Sequence, residues 1–195
     1  MINRSGFAAF VLGALLFAGI FYLAATKNML GWSDESAADP RLLVSLYTIA
    51  FGLPYAILEL TRRTNLLAIL FVLILIPAAH YAAMTAFLWW IGEMQEVSNP
   101  LLTGAIAGFT GAALSFLVLF ILGLRAATAG IAVFLAGLVL LTGWGALGVK
   151  LLPEQPESIL DFIIRLYLPW QIIFGFFLSA LLRPSPARGT AATTD

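Results

Sequence analysis

The stretch NLLAILFVLILIPAAHYAAMTAFLWWI, residues 65–91, contains no Asp, Glu, Lys or Arg. An α-helix rises about 1.5 Å per residue, and the hydrocarbon core of a bilayer is about 30 Å thick. About 20 apolar helical residues are therefore enough to cross it. We predict that residues 65–91 form a membrane-spanning helix.

Five further apolar stretches are also long enough to cross a bilayer. Backbone groups in lipid must be satisfied within the segment or in a closed barrel, and alternating barrel strands are absent from the sequence, so we expect helices. The six predicted spans are residues 6–26, 42–60, 65–91, 101–124, 127–149 and 160–182. The chain is thus predicted to be an all-α, polytopic membrane protein, with one domain at 1–183 and a disordered cytoplasmic tail at 184–195.

The composition supports this class and excludes others. Hydrophobic residues make up 62% of the chain and charged residues 10%, against about 45–50% and about 25% in soluble domains. The bilayer is therefore the expected partner of much of the surface. The net charge is zero, which gives no electrostatic basis for binding nucleic acid. The absence of Cys excludes disulfides, thiol catalysis and Cys-ligated metal.

The distribution of Lys and Arg predicts the orientation in the membrane. Loops on the cytoplasmic side carry an excess of these residues. With a cytoplasmic N-terminus, the inner side would hold Arg4, Arg62, Arg63, Arg125, Arg183 and Arg188. The outer loops would hold only Lys27, Arg41 and Lys150. We therefore expect both termini in the cytoplasm and the protein in a bacterial inner membrane.

Polar side chains within the spans indicate where a site could lie, because burying them in lipid is costly. His80 follows Pro77 by three residues and lies about 14 Å below Trp89 along a helix, near mid-membrane. Pro169 marks a similar depth in the sixth span. From these depths we predict an outward-opening pocket that binds a small, partly apolar molecule. Its predicted lining is His80, Tyr81, Arg165, Trp170, Gln171 and Tyr47.

These residues also have structural interpretations. His80 could serve only as a hydrogen-bonding residue between helices. Arg165 could pair with Asp161, four residues earlier on the same helix face. Glu59, Arg62 and Arg63 could be structural ion pairs or a docking site for a cytoplasmic partner.

The fourth span carries small residues on one helix face, which permits a close approach of two backbones. The residues predicted to pack in this way are Gly104, Gly108, Gly111 and Ser115. The fifth span carries a possible matching series, Ala129, Ala132, Ala136 and Gly143. The predicted partner is the fifth span, and another subunit is the alternative.

No catalytic motif, metal-ligand set or cofactor motif is recognisable, so we assign no catalytic residue, metal or cofactor. The length and the number of spans resemble the substrate-binding subunits of energy-coupling-factor transporters in architecture. We expect a transport component that binds a small molecule or lipid. The alternatives are an accessory subunit of a larger membrane complex, with a membrane-protein partner, and a lipid- or quinone-handling enzyme that uses His80.

Overall fold

A computed structural model describes residues 3–27, 39–62, 65–93, 99–126, 130–152 and 159–182. Within these ranges the protein is helical, apart from one isolated bridge between Arg125 and Leu182. Six of its helical segments are long and apolar enough to cross a membrane. The predicted tail at 184–195 lies outside the described residues, as do Arg63, Arg183 and Arg188.

The helices follow the predicted spans closely, but three spans are composite. The α-helices are α1 (Arg4–Thr26), α2 (Pro40–Tyr47), α3 (Ile49–Arg62), α4 (Leu66–Leu70), α5 (Ile76–Glu93), α6 (Pro100–Ile121), α7 (Ile131–Lys150), α8 (Ile159–Phe162) and α9 (Leu168–Leu181). Two wider π-helical turns interrupt the third and sixth spans, a first π segment at Phe71–Leu75 and a second at Ile163–Tyr167. The second span joins α2 to α3.

The helix ends gather on two opposite faces. On the first, which we call the N-terminal face, the Asn3 amide donates to the Ser179 carbonyl (3.3 Å) and the Ala126 amide to the Leu181 carbonyl (2.7 Å). Arg62 Nη2 also donates to Ser5 Oγ there, at 2.8 Å. The chain alternates between faces, so Lys27, Asp39, Lys150 and Asp161 lie at the opposite one, the cavity face.

Stacked aromatic rings and bare glycine backbone hold α1 against α3. The Phe10 ring stacks on Tyr55 at 4.6 Å and on Phe51 at 5.3 Å. A Cβ at Gly13 would collide with the Phe51 carbonyl, so only glycine permits this approach. This contact was not predicted, although Gly6, Ala9 and Gly13 lie on one helix face at spacings of three and four residues.

The most extensive helix contact joins α6 to α7, the pair that the small residues predict. A Cβ at Gly104 would collide with the Gly145 carbonyl, and one at Gly108 would lie 2.6 Å from the Leu141 carbonyl. The predicted matching series on α7 is wrong, since Gly143 has open space beside it. Ala132 and Ala136 are likewise exposed. Ala129 lies outside the described residues.

Gly104→Ala is expected to destabilise the protein, whereas Gly143→Ala, on the exposed side of α7, is the matched control. The first change pushes a methyl group into the Gly145 backbone, and overpacking of this kind costs about 1–3 kcal/mol. The methyl group that Gly143→Ala adds contacts no other atom. Alanine also has a higher helix propensity than glycine, by up to about 1 kcal/mol. Thermal unfolding in mild detergent should show a lower midpoint for Gly104→Ala only. Equal midpoints would show that the two helices do not pack this way.

Candidate functional site

A cavity of about 610 Å³ lies inside the half of the bundle nearest the cavity face. Every span contributes to its wall, for example through Phe21 of α1, Thr48 at the junction of α2 and α3, and Gly145 of α7. The size falls within the range of about 300–1,000 Å³ that is typical of small-molecule sites.

Proline and π-helical turns shape the two polar walls of the cavity. Pro77 and Pro169 each follow a π segment by two residues, and each lacks the amide that would bond one turn back. Wider turns of this kind are frequent at functional sites. His80 follows the first of these interruptions, and Trp170 and Gln171 follow the second; all three side chains line the cavity.

A hydrogen bond across two helices holds His80. Ser45 Oγ on α2 lies 3.2 Å from His80 Nδ1 on α5. This contact engages one ring nitrogen and leaves Nε2 as the nitrogen that can serve a ligand. Ser45 was not predicted as a partner of His80, because it is 35 positions away and on another helix.

Gln171 has a buried acceptor without a donor. Its side chain is only 4% exposed, and among the described residues no group donates a hydrogen bond to Oε1. A buried polar atom in this state is uncommon in folded proteins and costs stability. Gln171 lines the cavity through its other atoms, because Oε1 itself is shielded from it.

Aromatic rings form most of the remaining wall. The ring centroids of Trp170 and Phe174 lie 4.9 Å apart, and those of Phe174 and Phe51 lie 5.8 Å apart. Tyr167 lies 6.0 Å from the His80 ring. The phenylalanines were not predicted to line the cavity, because the sequence pattern of a membrane helix does not distinguish a lining phenylalanine from any other. The aromatic lining residues are Phe21, Phe51, Phe87, Tyr167, Trp170 and Phe174.

Three of the six predicted lining residues lie elsewhere, which corrects that part of the predicted pocket. Arg165 is half exposed, with Nε 3.3 Å from Asp161 Oδ1 and Nη1 donating to the Leu151 carbonyl at 3.1 Å. Tyr81 Oη donates to Asp39 Oδ2 at 3.5 Å. Tyr47 is half-buried outside the lining set. The structure therefore brings together His80, Trp170 and Gln171.

The predicted packing residues also take two roles. Gly104 and Gly108 form the close contact with α7 and contribute bare backbone to the cavity wall. Gly111 and Ser115 line the cavity further along α6. A Cβ at Gly111 would lie at ordinary contact distances, 3.4 Å from Ala83 Cβ and 3.7 Å from the Trp170 ring.

Charged groups lie at the ends of the spans rather than in the cavity. Asp39 caps α2, and its Oδ2 lies 2.7 Å from Arg41 Nη2 in an ion pair. Hydrogen bonds from the Arg41 guanidinium hold the pKa of the Asp39 carboxyl below its ordinary value. At the N-terminal face, Glu59 Oε1 lies 3.9 Å from Arg62 Nη1, which favours the structural interpretation of that cluster.

The described lining of the cavity offers aromatic surface and a few hydrogen-bonding groups. Among the described residues, no Asp, Glu, Lys or Arg belongs to it. Within the described part of the chain, no three His, Asp or Glu residues are grouped to hold a metal ion. Ser45 is 3% exposed and outside the lining set, so its hydroxyl is placed to orient His80 and not to attack a ligand.

No protein-family model matches the chain, and neither a characterised protein nor a solved structure matches it. The cavity is therefore interpreted from its own side chains.

Gln171→Leu is expected to stabilise the ligand-free protein, because it removes an acceptor that has no partner. Thr48→Val is the matched control in the same cavity: Thr48 Oγ1 donates to the Ser45 carbonyl at 2.6 Å, and its loss should cost about 1 kcal/mol. The thermal midpoint should rise or stay level for Gln171→Leu and fall for Thr48→Val. A clear fall for Gln171→Leu would mean that Oε1 is satisfied in the protein.

Proposed function

We propose that this protein binds a small, partly apolar molecule within the membrane and serves as the binding component of a transport system. The observation that carries the proposal is the cavity itself, which joins an aromatic wall to two polar groups from different spans. Small-molecule sites have this composition: mostly apolar walls with a few polar groups that fix orientation. His80, Trp170 and Gln171 are the proposed ligand contacts.

The cavity side of the protein is proposed to face outward, with both termini in the cytoplasm of a bacterial inner membrane. Of the ten Lys and Arg residues, six belong to the N-terminal face by their place in the chain. The other four, which include Arg165, belong to the cavity face. Two of these four, Arg41 and Arg165, are paired with carboxylates. The excess of cations on the N-terminal face supports this orientation.

A second candidate function is that of an accessory subunit in a larger membrane complex. It is favoured by α7, which is the least buried of the six spans. Small exposed residues on α7, Ala132, Ala136 and Gly143, would let another helix approach closely. Co-purification of a stoichiometric partner in gentle detergent, lost on Gly143→Leu, would support this function. An enzymatic role for His80 has less support, because none of the described residues places a carboxylate or a cation in the cavity lining beside it.

Gly111→Leu is expected to abolish binding in the cavity. A Cβ at Gly111 would lie at ordinary contact distances from Ala83 and Trp170, and since Gly111 lines the cavity, the rest of the leucine side chain is expected to occupy it. The test measures binding of 1-naphthol, a neutral aromatic probe, to the protein in lipid nanodiscs by equilibrium dialysis. Affinity should fall tenfold or more for Gly111→Leu, which is about 1.4 kcal/mol. The control Gly143→Leu adds the same side chain on the exposed side of α7 and should bind normally. Equal binding by both variants would contradict the proposal.

The orientation can be tested with single cysteines, since the chain has none of its own. Lys27→Cys and Leu152→Cys lie at the cavity face and should react with a membrane-impermeant maleimide on intact cells. Thr61→Cys lies at the N-terminal face and should react only after permeabilisation. The reverse labelling pattern would invert the proposed topology.

A further inference from the structure

We infer that His80 donates its Nε2–H into the cavity, so that the site selects apolar molecules that carry a hydrogen-bond acceptor such as a carbonyl oxygen. This inference rests on the proposed function and names the class of ligand for the same site. It separates ketones, esters and quinones from hydrocarbons of the same shape.

The position of the ring proton follows from the Ser45 hydroxyl. Ser45 is 3% exposed, and among the described residues the one hydrogen-bond partner of its Oγ is His80 Nδ1, at 3.2 Å. If Nδ1 carried the proton and donated it to Oγ, the hydroxyl hydrogen would be buried without an acceptor, which is costly. If Nδ1 is unprotonated, the hydroxyl donates to it and is satisfied. A neutral ring then carries its proton on Nε2.

The ring is neutral because the described groups beside it offer no counter-charge. No described Asp or Glu lines the cavity. The groups that contact the ring are the Ser45 hydroxyl and the Tyr167 ring, and both are uncharged. An imidazolium here would lose its hydration without gaining a partner of opposite charge.

The second ring nitrogen, Nε2, opens on the cavity. His80 lines the cavity, and its one hydrogen bond to a described residue is the bond through Nδ1. Unlike Gln171 Oε1, Nε2 is not among the described atoms that are both buried and without a hydrogen-bond partner, so it keeps accessible surface. The Nε2–H group is therefore a donor on the cavity side, and a bound molecule would supply its acceptor.

Selection follows from the limited choices of this donor. A hydrocarbon that covers Nε2–H leaves the group desolvated and without an acceptor. A ligand that offers only a donor would force the ring proton to Nδ1, and the Ser45 hydrogen would then lose its acceptor. A carbonyl oxygen satisfies Nε2–H and leaves the bond between Ser45 and His80 intact. The rings of Trp170 and Phe174, with centroids 4.9 Å apart, suit the apolar body of such a ligand.

The chain has a single histidine, so the position of its proton can be measured directly. ¹⁵N NMR of the protein labelled at histidine, in lipid nanodiscs at neutral pH, should show an unprotonated Nδ1 and a protonated Nε2. Ser45→Ala removes the donor and should raise the fraction of the Nδ1–H form, whereas Ser45→Thr keeps a hydroxyl and should not. A protonated Nδ1 in the wild type, or the same spectrum from all three proteins, would overturn the inference.

Two probes of nearly the same shape test the ligand class by equilibrium dialysis in nanodiscs. They are 1-acetylnaphthalene, a ketone, and 1-isopropenylnaphthalene, in which a methylene group replaces the carbonyl oxygen. For each probe, cavity binding is the part lost in Gly111→Leu, and its affinity is compared with partition into protein-free nanodiscs. On this scale the wild-type protein should prefer the ketone by about fivefold or more, the contribution of one hydrogen bond.

His80→Phe keeps a ring but removes Nε2–H, and it should bring the two probes to within about twofold of each other. His80→Leu repeats the test if the phenylalanine variant does not fold. Tyr81→Phe, which alters the neighbouring residue outside the cavity lining, is the matched control and should keep the preference.

Equal cavity affinities for the two probes in the wild type, or a preference that persists in His80→Phe, would overturn the inference and leave the proposed function standing. Probe binding that Gly111→Leu does not reduce, or no binding at all, would overturn both.

Discussion

Inside a bilayer no water is at hand to satisfy a polar side chain, and this constraint governs the whole interior of the protein. Most buried hydroxyls meet it locally by donating to a carbonyl three or four residues earlier in the chain. Thr48 bonds to the Ser45 carbonyl, Thr103 to Asn99 and Ser179 to Phe176. Gln171 and His80 do not follow this pattern. One keeps an unused acceptor and the other bonds across helices, and both line the same cavity. These two departures from local satisfaction therefore lie at the cavity, whereas the buried Nε1 atoms of Trp90 and Trp144 have no acceptor among the described residues and lie outside its lining.

Close packing and open space arise from the same helix face. Along α6, Gly104 and Gly108 bring the backbone against α7, and lipid offers no hydrophobic drive for that contact, so close van der Waals packing must hold it. One turn further along, Gly111 has no such partner at clashing distance, and the missing side chain leaves volume for the cavity. The small residues in α6 thus stabilise the bundle at one level and shape the cavity at the next.

The sequence predicts the level of a residue along its helix well and the rotation about the helix axis poorly. The six spans follow from hydrophobicity and length, and the common level of His80, Trp170 and Gln171 in the bundle follows from counting residues. The three misplaced residues each neighbour a lining residue: Tyr47 precedes Thr48, Tyr81 follows His80, and Arg165 precedes Leu166. One residue along a helix turns a side chain by about 100°. That rotation is set by packing, by Pro54 and by the π segments, none of which hydropathy reports. Ser45 and the phenylalanines were missed because their contacts join distant spans.

Ion pairs at the ends of the spans set the electrostatic surroundings of the cavity. At the cavity face, Asp39 is paired with Arg41 and Asp161 with Arg165, so each carboxylate lies beside its own counter-charge. The lowered pKa of Asp39 keeps that carboxyl ionised to a lower pH than an ordinary aspartate, and the pair with Arg41 persists with it. Such pairs present little net field to an approaching molecule, since opposite charges in contact cancel at a distance. The two pairs therefore add little net charge at this end of the bundle, and none of the described residues places a charged side chain in the cavity lining. The described lining consists mainly of aromatic rings and bare backbone, so it is better suited to apolar surface than to an ion, which would lose its hydration there.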